Sequence, residues 1–199
     1  MAPTKQTLAL KAARAHLNRR RFLAASLLAA ASAPSLLYAG FEELYWRFLT
    51  LDEARMLAVL CDVIIPPDQD PGAAAAGVVQ FIDRKLVGYH RGSQSLYRQG
   101  LAALASSSRQ LFQKPLIELA ADQRVALVTR WEKSDLPAET WKAVTPREFF
   151  DRFLDHVMQG FFGGPRHGGN RDAVSWRMLG LPQPPVRSRR PESPRRTQP

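Results

Sequence analysis

From residue 50 onward the apolar positions recur at spacings of three and four, the pattern of helices that bury one face. Met56, Leu57, Val59, Leu60, Val63 and Ile64 make the first such run. Thr50-Leu51-Asp52-Glu53 stands before it with capping-box spacing, and Pro66-Pro67 ends it. Asp68-Gln69-Asp70-Pro71-Gly72 reads as a turn. A second helix is predicted over residues 73–90, with Val78, Val79, Ile82 and Leu86 on one face. Ser93 or Ser95 can cap a third, which carries Leu96, Leu101, Leu104 and Leu111. Residues 116–120 read as a short turn before Asp122, predicted to cap a fourth helix with Val125, Leu127, Val128 and Trp131. Thr145-Pro146-Arg147-Glu148 is a second capping box, with proline at the first helical position, where its missing amide costs nothing. Phe149, Phe150, Phe153, Leu154, Val157 and Met158 follow at helical spacing. No stretch alternates as a strand does, and there is no internal repeat. The expected fold is all-α, a compact multi-helix domain over residues 41–182 with a glycine-rich irregular C-terminal segment.

That segment begins at Gly160, where five glycines fall within eleven residues. It lacks the strand-turn-helix setting and the lysine of a phosphate-binding loop. The expected role is a fixed, non-helical segment whose glycines permit close backbone approach, with Phe161, Phe162 and Trp176 burying area. Residues 183–199, rich in Pro, Arg and Ser, cannot build a core and read as a disordered basic tail.

The first 40 residues follow a different pattern. A basic, polar stretch leads to Arg19-Arg20-Arg21-Phe22-Leu23, then to a short alanine-rich apolar run. The run is too short and too weakly apolar for a membrane span, which needs roughly 20 apolar residues. Basic stretch, modest apolar run and small residues together read as an export signal. The arginine pair followed by x-Phe-Leu matches the twin-arginine pattern, with Arg19, Arg20, Phe22 and Leu23 as its carriers. Asn18 stands where Ser or Thr is often found. That route carries proteins already folded, often with a cofactor inserted or a partner attached. Cleavage after Ala31, Ala33 or Ala39 and retention of the segment as an anchor all remain open.

Charge refines the picture. The 199 residues carry a formal net charge of +10, which first suggests nucleic acid. Residues 1–40 hold six basic groups and no acidic ones, and residues 183–199 hold five arginines against Glu192. The body between them is neutral, whereas a nucleic-acid domain carries its positive patch on the fold. The single cysteine, Cys61, excludes an internal disulfide and a cysteine-based zinc site. Inside its apolar run it reads as a buried small side chain; a bond to a second chain is the alternative.

Candidate chemistry is sparse. There is no G-x-S-x-G elbow, dinucleotide fingerprint or haem-attachment motif. Asp151 and Asp155 share a solvated helix face, and His156 points elsewhere. His167, in the glycine loop, reads as a loop-stabilising hydrogen-bonding group rather than a ligand contact. Asp62 and Asp68 flank the proline pair and suit cap and turn roles better than acid–base work. With no catalytic, cofactor or metal site of its own, an exported chain on a folded-cargo route suggests an accessory subunit.

Four stretches, taken in order, resemble the small subunit (subunit 3, or gamma) of membrane-bound gluconate 2-dehydrogenase and related flavin sugar dehydrogenases. They are Arg19-Arg20-Arg21-Phe22-Leu23; Leu49-Thr50-Leu51-Asp52-Glu53 through Cys61-Asp62-Val63-Ile64-Ile65-Pro66-Pro67-Asp68; Pro71-Gly72-Ala73 through Gly77-Val78-Val79-Gln80-Phe81-Ile82-Asp83; and Gly160-Phe161-Phe162-Gly163-Gly164-Pro165-Arg166-His167-Gly168-Gly169-Asn170 with Trp176, Leu179-Gly180 and Pro182. Tyr97-Arg98-Gln99-Gly100-Leu101 fits the family's middle region. His167 departs from the family's usual Tyr, and Ser175 from a Gly that often precedes the Trp.

The resemblance implies a non-catalytic subunit that carries the export signal for a periplasmic complex at the cytoplasmic membrane. Its large flavoprotein subunit would hold FAD and oxidise a sugar or sugar acid, and a multihaem cytochrome c subunit would take the electrons. The small subunit would act as export escort, engaging the twin-arginine translocase, and as stabilising partner of the flavoprotein. The expected partner interface comprises Phe161, Phe162, Pro165, His167, Gly168, Gly169, Asn170 and Trp176, with Phe and Trp as anchors. A stand-alone periplasmic enzyme and a module for anionic surfaces are the alternative readings.

Overall fold

The computed structural model describes residues 45–181. The export-signal residues Arg19, Arg20, Phe22 and Leu23 and the basic tail lie outside the described residues. Six α-helices follow in order: α1 (Leu51–Ile64), α2 (Val78–Leu86), α3 (Gln94–Phe112), α4 (Ala121–Glu132), α5 (Pro146–Phe162) and α6 (Val174–Met178). Short 3-10 turns lie between them, and there is no strand among the described residues, so the all-α expectation holds.

Helix α5 is the hub and packs on each of the other five helices. Its sequence explains this: Phe149, Phe150, Phe153, His156, Val157, Gly160 and Phe161 are all buried, a stripe at the helical repeat. Trp131 of α4 lies over Phe149, Phe150 and Phe153 at centroid distances of 5.0–5.4 Å, and Tyr97 of α3 meets Phe149 edge-on at 5.3 Å. Each fully buried ring of this kind stabilises the fold by roughly 1.5–3 kcal/mol. The Trp131 indole N–H donates to the Pro146 carbonyl at 2.9 Å, so even the polar end of this buried ring is satisfied.

Helix starts follow the local sequence in two of four predicted cases. Thr50 and Glu53 form the reciprocal capping box, and the Thr145 hydroxyl accepts from the Glu148 amide. The second helix differs from expectation: it begins at Val78, and residues 73–77 form a turn. Gly77 adopts a φ of 84°, a left-handed conformation that ends any helix running through it. Asp122 does not cap α4. The helix starts two residues earlier than that role requires, with Ala120 at the cap position and its amide donating to Gln123 Oε1 at 3.1 Å. Ser93 occupies the cap position of α3 without a side-chain bond.

Cys61 is fully buried in α1 and free. Burial pushes its thiol well above the usual range, so it is neither a thiolate nucleophile nor accessible to a second chain in this fold.

Candidate functional site

The motif stretches meet one another in space, and the contacts between them are internal locks. Asp83, buried in α2, accepts the amides of Arg47, Phe48 and Leu49 at 2.9, 3.0 and 3.0 Å. One carboxylate therefore pins the strap that leads into α1. Arg98 reaches the same strap: its guanidinium bonds Glu53 and the Phe48 carbonyl, and lies 4.2 Å above the Phe48 ring. Asp62 Oδ1 accepts the Ala74 amide at 2.9 Å, joining the end of α1 to the turn before α2. Burial raises the Asp62 carboxyl to about 6, against weaker opposing contributions from that bond and from Arg124. Asp68 accepts the Asp70 amide, an Asx turn, as expected of a turn residue.

The glycine-rich segment closes over the same region. The Arg171 amide donates to the Ala76 carbonyl at 2.8 Å. Asn170 is fully buried: its amide nitrogen donates to the Gly163 carbonyl at 2.8 Å, and its oxygen accepts the Ser175 amide at 2.9 Å. Gly169 lies against Gly160 of α5, with no room for a side chain between their backbones. The Trp176 indole donates to the Phe162 carbonyl at 3.0 Å, which ties α6 to the end of α5.

This geometry divides the predicted interface. Phe161, Gly169 and Asn170 are buried in the chain's own interior and offer no surface to a partner; this corrects the expectation for those three. The physical reason is that the segment folds back onto α5 and the 73–77 turn, so its most distinctive residues are consumed by that closure. Trp131, Trp141, Phe149, Phe150 and Phe153 are likewise internal and cannot be partner anchors. Phe162 and His167 are exposed, while Pro165, Gly168 and Trp176 are half-buried. His167 Nε2 accepts from Arg166 Nε at 3.1 Å, a local bond.

The sequence reading missed two features. The first is a set of apolar side chains left in solvent at this end: Met158, Met178, Leu179 and Leu181, between 43% and 58% exposed. Met158 lies one turn before Phe162, a spacing that signals a shared outer face. The second is a buried ring cluster. His156 is fully buried; its Nδ1 pairs with the Tyr97 hydroxyl at 2.8 Å, and the His90 ring lies 4.3 Å away. Asp151 and Asp155 are exposed on the outer face of the same helix, as predicted, with Arg147 and Gln159 as partners. Among the described residues no three His, Cys, Asp or Glu side chains converge as metal ligands, and no helix is long and apolar enough to cross a membrane.

Comparison with curated proteins and with solved structures finds no match. A family model, that of gluconate 2-dehydrogenase subunit 3, matches residues 51–182. The match runs from the first residue of α1 through the glycine-rich closure and α6, so it covers every helix among the described residues. The chain therefore belongs to the gluconate 2-dehydrogenase subunit 3 family, which makes it an accessory subunit of a dehydrogenase complex.

Proposed function

We propose that this chain is the export escort and stabilising partner of a flavoprotein dehydrogenase subunit that oxidises a sugar or sugar acid in the periplasm. The observation that carries the reading is the joining, in one chain, of Arg19-Arg20-Arg21-Phe22-Leu23 to a body that belongs to a dehydrogenase subunit family. A twin-arginine route takes folded cargo, and a small helical domain locked by its own side chains can be folded before transport. The flavoprotein would travel bound to it, so one signal serves two chains.

In this reading FAD belongs to the large subunit and haem c to a third, cytochrome subunit. The residues of this chain do not suit either group. A dinucleotide needs a strand-turn-helix cradle, and the described residues contain helices and turns only. Covalent haem attachment needs paired cysteines, and the chain has one. In this reading the oxidation chemistry belongs to the partners, and this chain acts non-catalytically.

The test is a pull-down of the tagged full chain from its native host, followed by an absorbance spectrum of the eluate and a dye-reduction assay with sugars. Co-purification of a larger protein with flavin bands and sugar-dependent dye reduction is expected. A colourless chain that elutes alone would overturn the proposal. For the escort role, Arg19→Lys with Arg20→Lys is expected to leave both chains in the cytoplasmic fraction. Normal export of the flavoprotein in that variant would remove the escort role.

A further inference from the structure

Six apolar side chains gather where the described fold ends. Met158 and Phe162 lie one turn apart near the end of α5 and are 43% and 39% exposed. Trp176 is half-buried and bonded to the Phe162 carbonyl, which brings α6 against that helix end. Met178, Leu179 and Leu181 follow, 44%, 58% and 49% exposed. The Leu181 amide donates to the Trp176 carbonyl at 2.8 Å, so the chain is held at this end rather than leaving it. Of the eight large apolar side chains most exposed in the described fold, five belong to this group. A cluster of this kind, as opposed to scattered single residues, marks a binding surface.

The charge beyond α5 at this end is mostly basic, while Asp155, one turn before Met158, is an acidic neighbour within α5. Residues 160–181 carry Arg166, Arg171 and Arg177, all exposed, against Asp172 alone. The chain continues past Leu181 for a further 18 residues that include five arginines and one glutamate. Those residues follow Leu181 directly in the chain and add four net positive charges in sequence. A second copy presenting the same basic face would be repelled, whereas an acidic protein surface would be attracted.

We infer that this end of the molecule is the docking surface for the dehydrogenase subunit, and that the matching surface on that subunit is an apolar depression rimmed by Asp and Glu. The inference rests on the accessory-subunit reading and names the face that serves it. Phe162 and Leu179 supply the central apolar contact, and the arginines set orientation and encounter rate. The internal closure by Gly169 and Asn170 makes this face rigid before the partner arrives, which lowers the entropy lost on docking.

The test compares complexes purified through the tagged full chain co-expressed with its dehydrogenase subunits. Leu179→Asp and Phe162→Asp are expected to weaken retention of the flavoprotein about tenfold or more, with an unchanged helical circular dichroism spectrum. Arg166→Glu with Arg177→Glu is expected to slow association and flatten its salt dependence. Ile117→Asp, which alters an exposed apolar residue outside the cluster, is expected to leave the complex intact. Equal retention of the flavoprotein by wild type and cluster variants would overturn the inference while leaving the accessory role standing. Failure of the wild-type chain to retain any flavoprotein would overturn the accessory role itself. Loss of self-association, or of binding to phosphatidylglycerol vesicles, in the cluster variants with flavoprotein retention unaffected would instead assign the face to a second copy or a membrane surface and overturn the inference.

Discussion

A Cβ atom added to Gly169 would lie 2.9 Å from the carbonyl carbon of Gly160 and closer still to its oxygen. The two backbones are therefore in direct contact, one from the glycine-rich segment and one from α5. Gly160 has a second neighbour: its own Cβ would meet Phe81 and Val78 of α2 at 3.0 and 3.1 Å. No side chain separates the Gly169 and Gly160 backbones, whereas Gly160 meets α2 through the Phe81 and Val78 side chains. A methyl group at position 169 meets fixed backbone and must push the segment away. Gly169→Ala is expected to lower unfolding free energy by about 2–4 kcal/mol, read by thermal or urea denaturation. Gly160→Ala, whose neighbours are side chains able to shift, is expected to cost less. The reverse order would show that the closure is not the tighter contact.

Asp83 holds three consecutive amides, and its loss leaves those donors without their acceptor. Leu49 is buried, so its amide cannot turn to water. Asp83→Ala is expected to destabilise the fold by about 2–3 kcal/mol and to increase hydrogen exchange at residues 47–49. Asp83→Asn keeps one acceptor oxygen and is expected to cost less than Ala. Unchanged exchange at residues 47–49 in the Ala variant would contradict this anchoring role.

Arg98 links α3 to the start of α1 through Glu53, the Phe48 carbonyl and the Phe48 ring. The guanidinium fork serves the carboxylate and the carbonyl together, which an ammonium cannot do in the same geometry. Both Arg98→Ala and Arg98→Lys are expected to lose about 1–2 kcal/mol of stability, with Lys recovering less than half the difference. A double-mutant cycle with Glu53→Gln measures the pair directly, and a coupling energy near zero would count against it.

His156 gives the fold an acid-sensitive centre. Its imidazole is lowered to about 4 from its ordinary 6.5, chiefly by burial and then by the neighbouring His90 and Arg152. Asp155 acts in the opposite sense, and Lys85 adds a small lowering. The unfolded chain thus takes up this proton before the folded one does. The resulting stability is fully present above pH 6.5 and is lost as the pH falls through 6.5 to about 4, on the order of 2 kcal/mol. Asp62, raised to about 6 from 3.8, works the other way: its contribution is full below pH 3.8 and declines as the pH rises to about 6. Denaturation across pH 4–7 is expected to show the acid-side loss flattened in His156→Gln and enlarged in Asp62→Asn. An identical acid limb in wild type and His156→Gln would exclude His156 as its source.

Much of the architecture could be read without coordinates. The 3.6-residue recurrence of Leu, Val and Phe located the helices, because burying one helix face requires that spacing whatever the neighbours are. Thr50 and Thr145 marked two helix starts because their hydroxyls satisfy amides within the same turn, a purely local bond. The start of the second helix was misplaced because a glycine can continue a helix or break it, and only the packing of the 73–77 turn beneath Arg171 selects the φ of 84° at Gly77. Family membership, too, was legible in the motifs, since they recur in a fixed order along the chain.

What those motif residues do was decided in three dimensions. Phe161 and Phe162 are adjacent and identical in sequence, yet one is fully buried and the other 39% exposed. Side chains one position apart on a helix point about 100° apart, and the direction that faces the core depends on where α2 and the glycine-rich segment come to rest. For the same reason Asp83 looked like any polar residue on a helix, and His156 like a neighbour of Asp155. Their partners lie 34–36 and 59 positions away, at separations that local pattern does not constrain. The sequence by itself determined most of the helical segments, because that depends on neighbours within a few residues; α6 (Val174–Met178) is the exception, a short helix inside the stretch read as non-helical. Only the tertiary structure decided which side chains close the fold and which remain exposed, because burial is a property of elements brought together from distant parts of the chain.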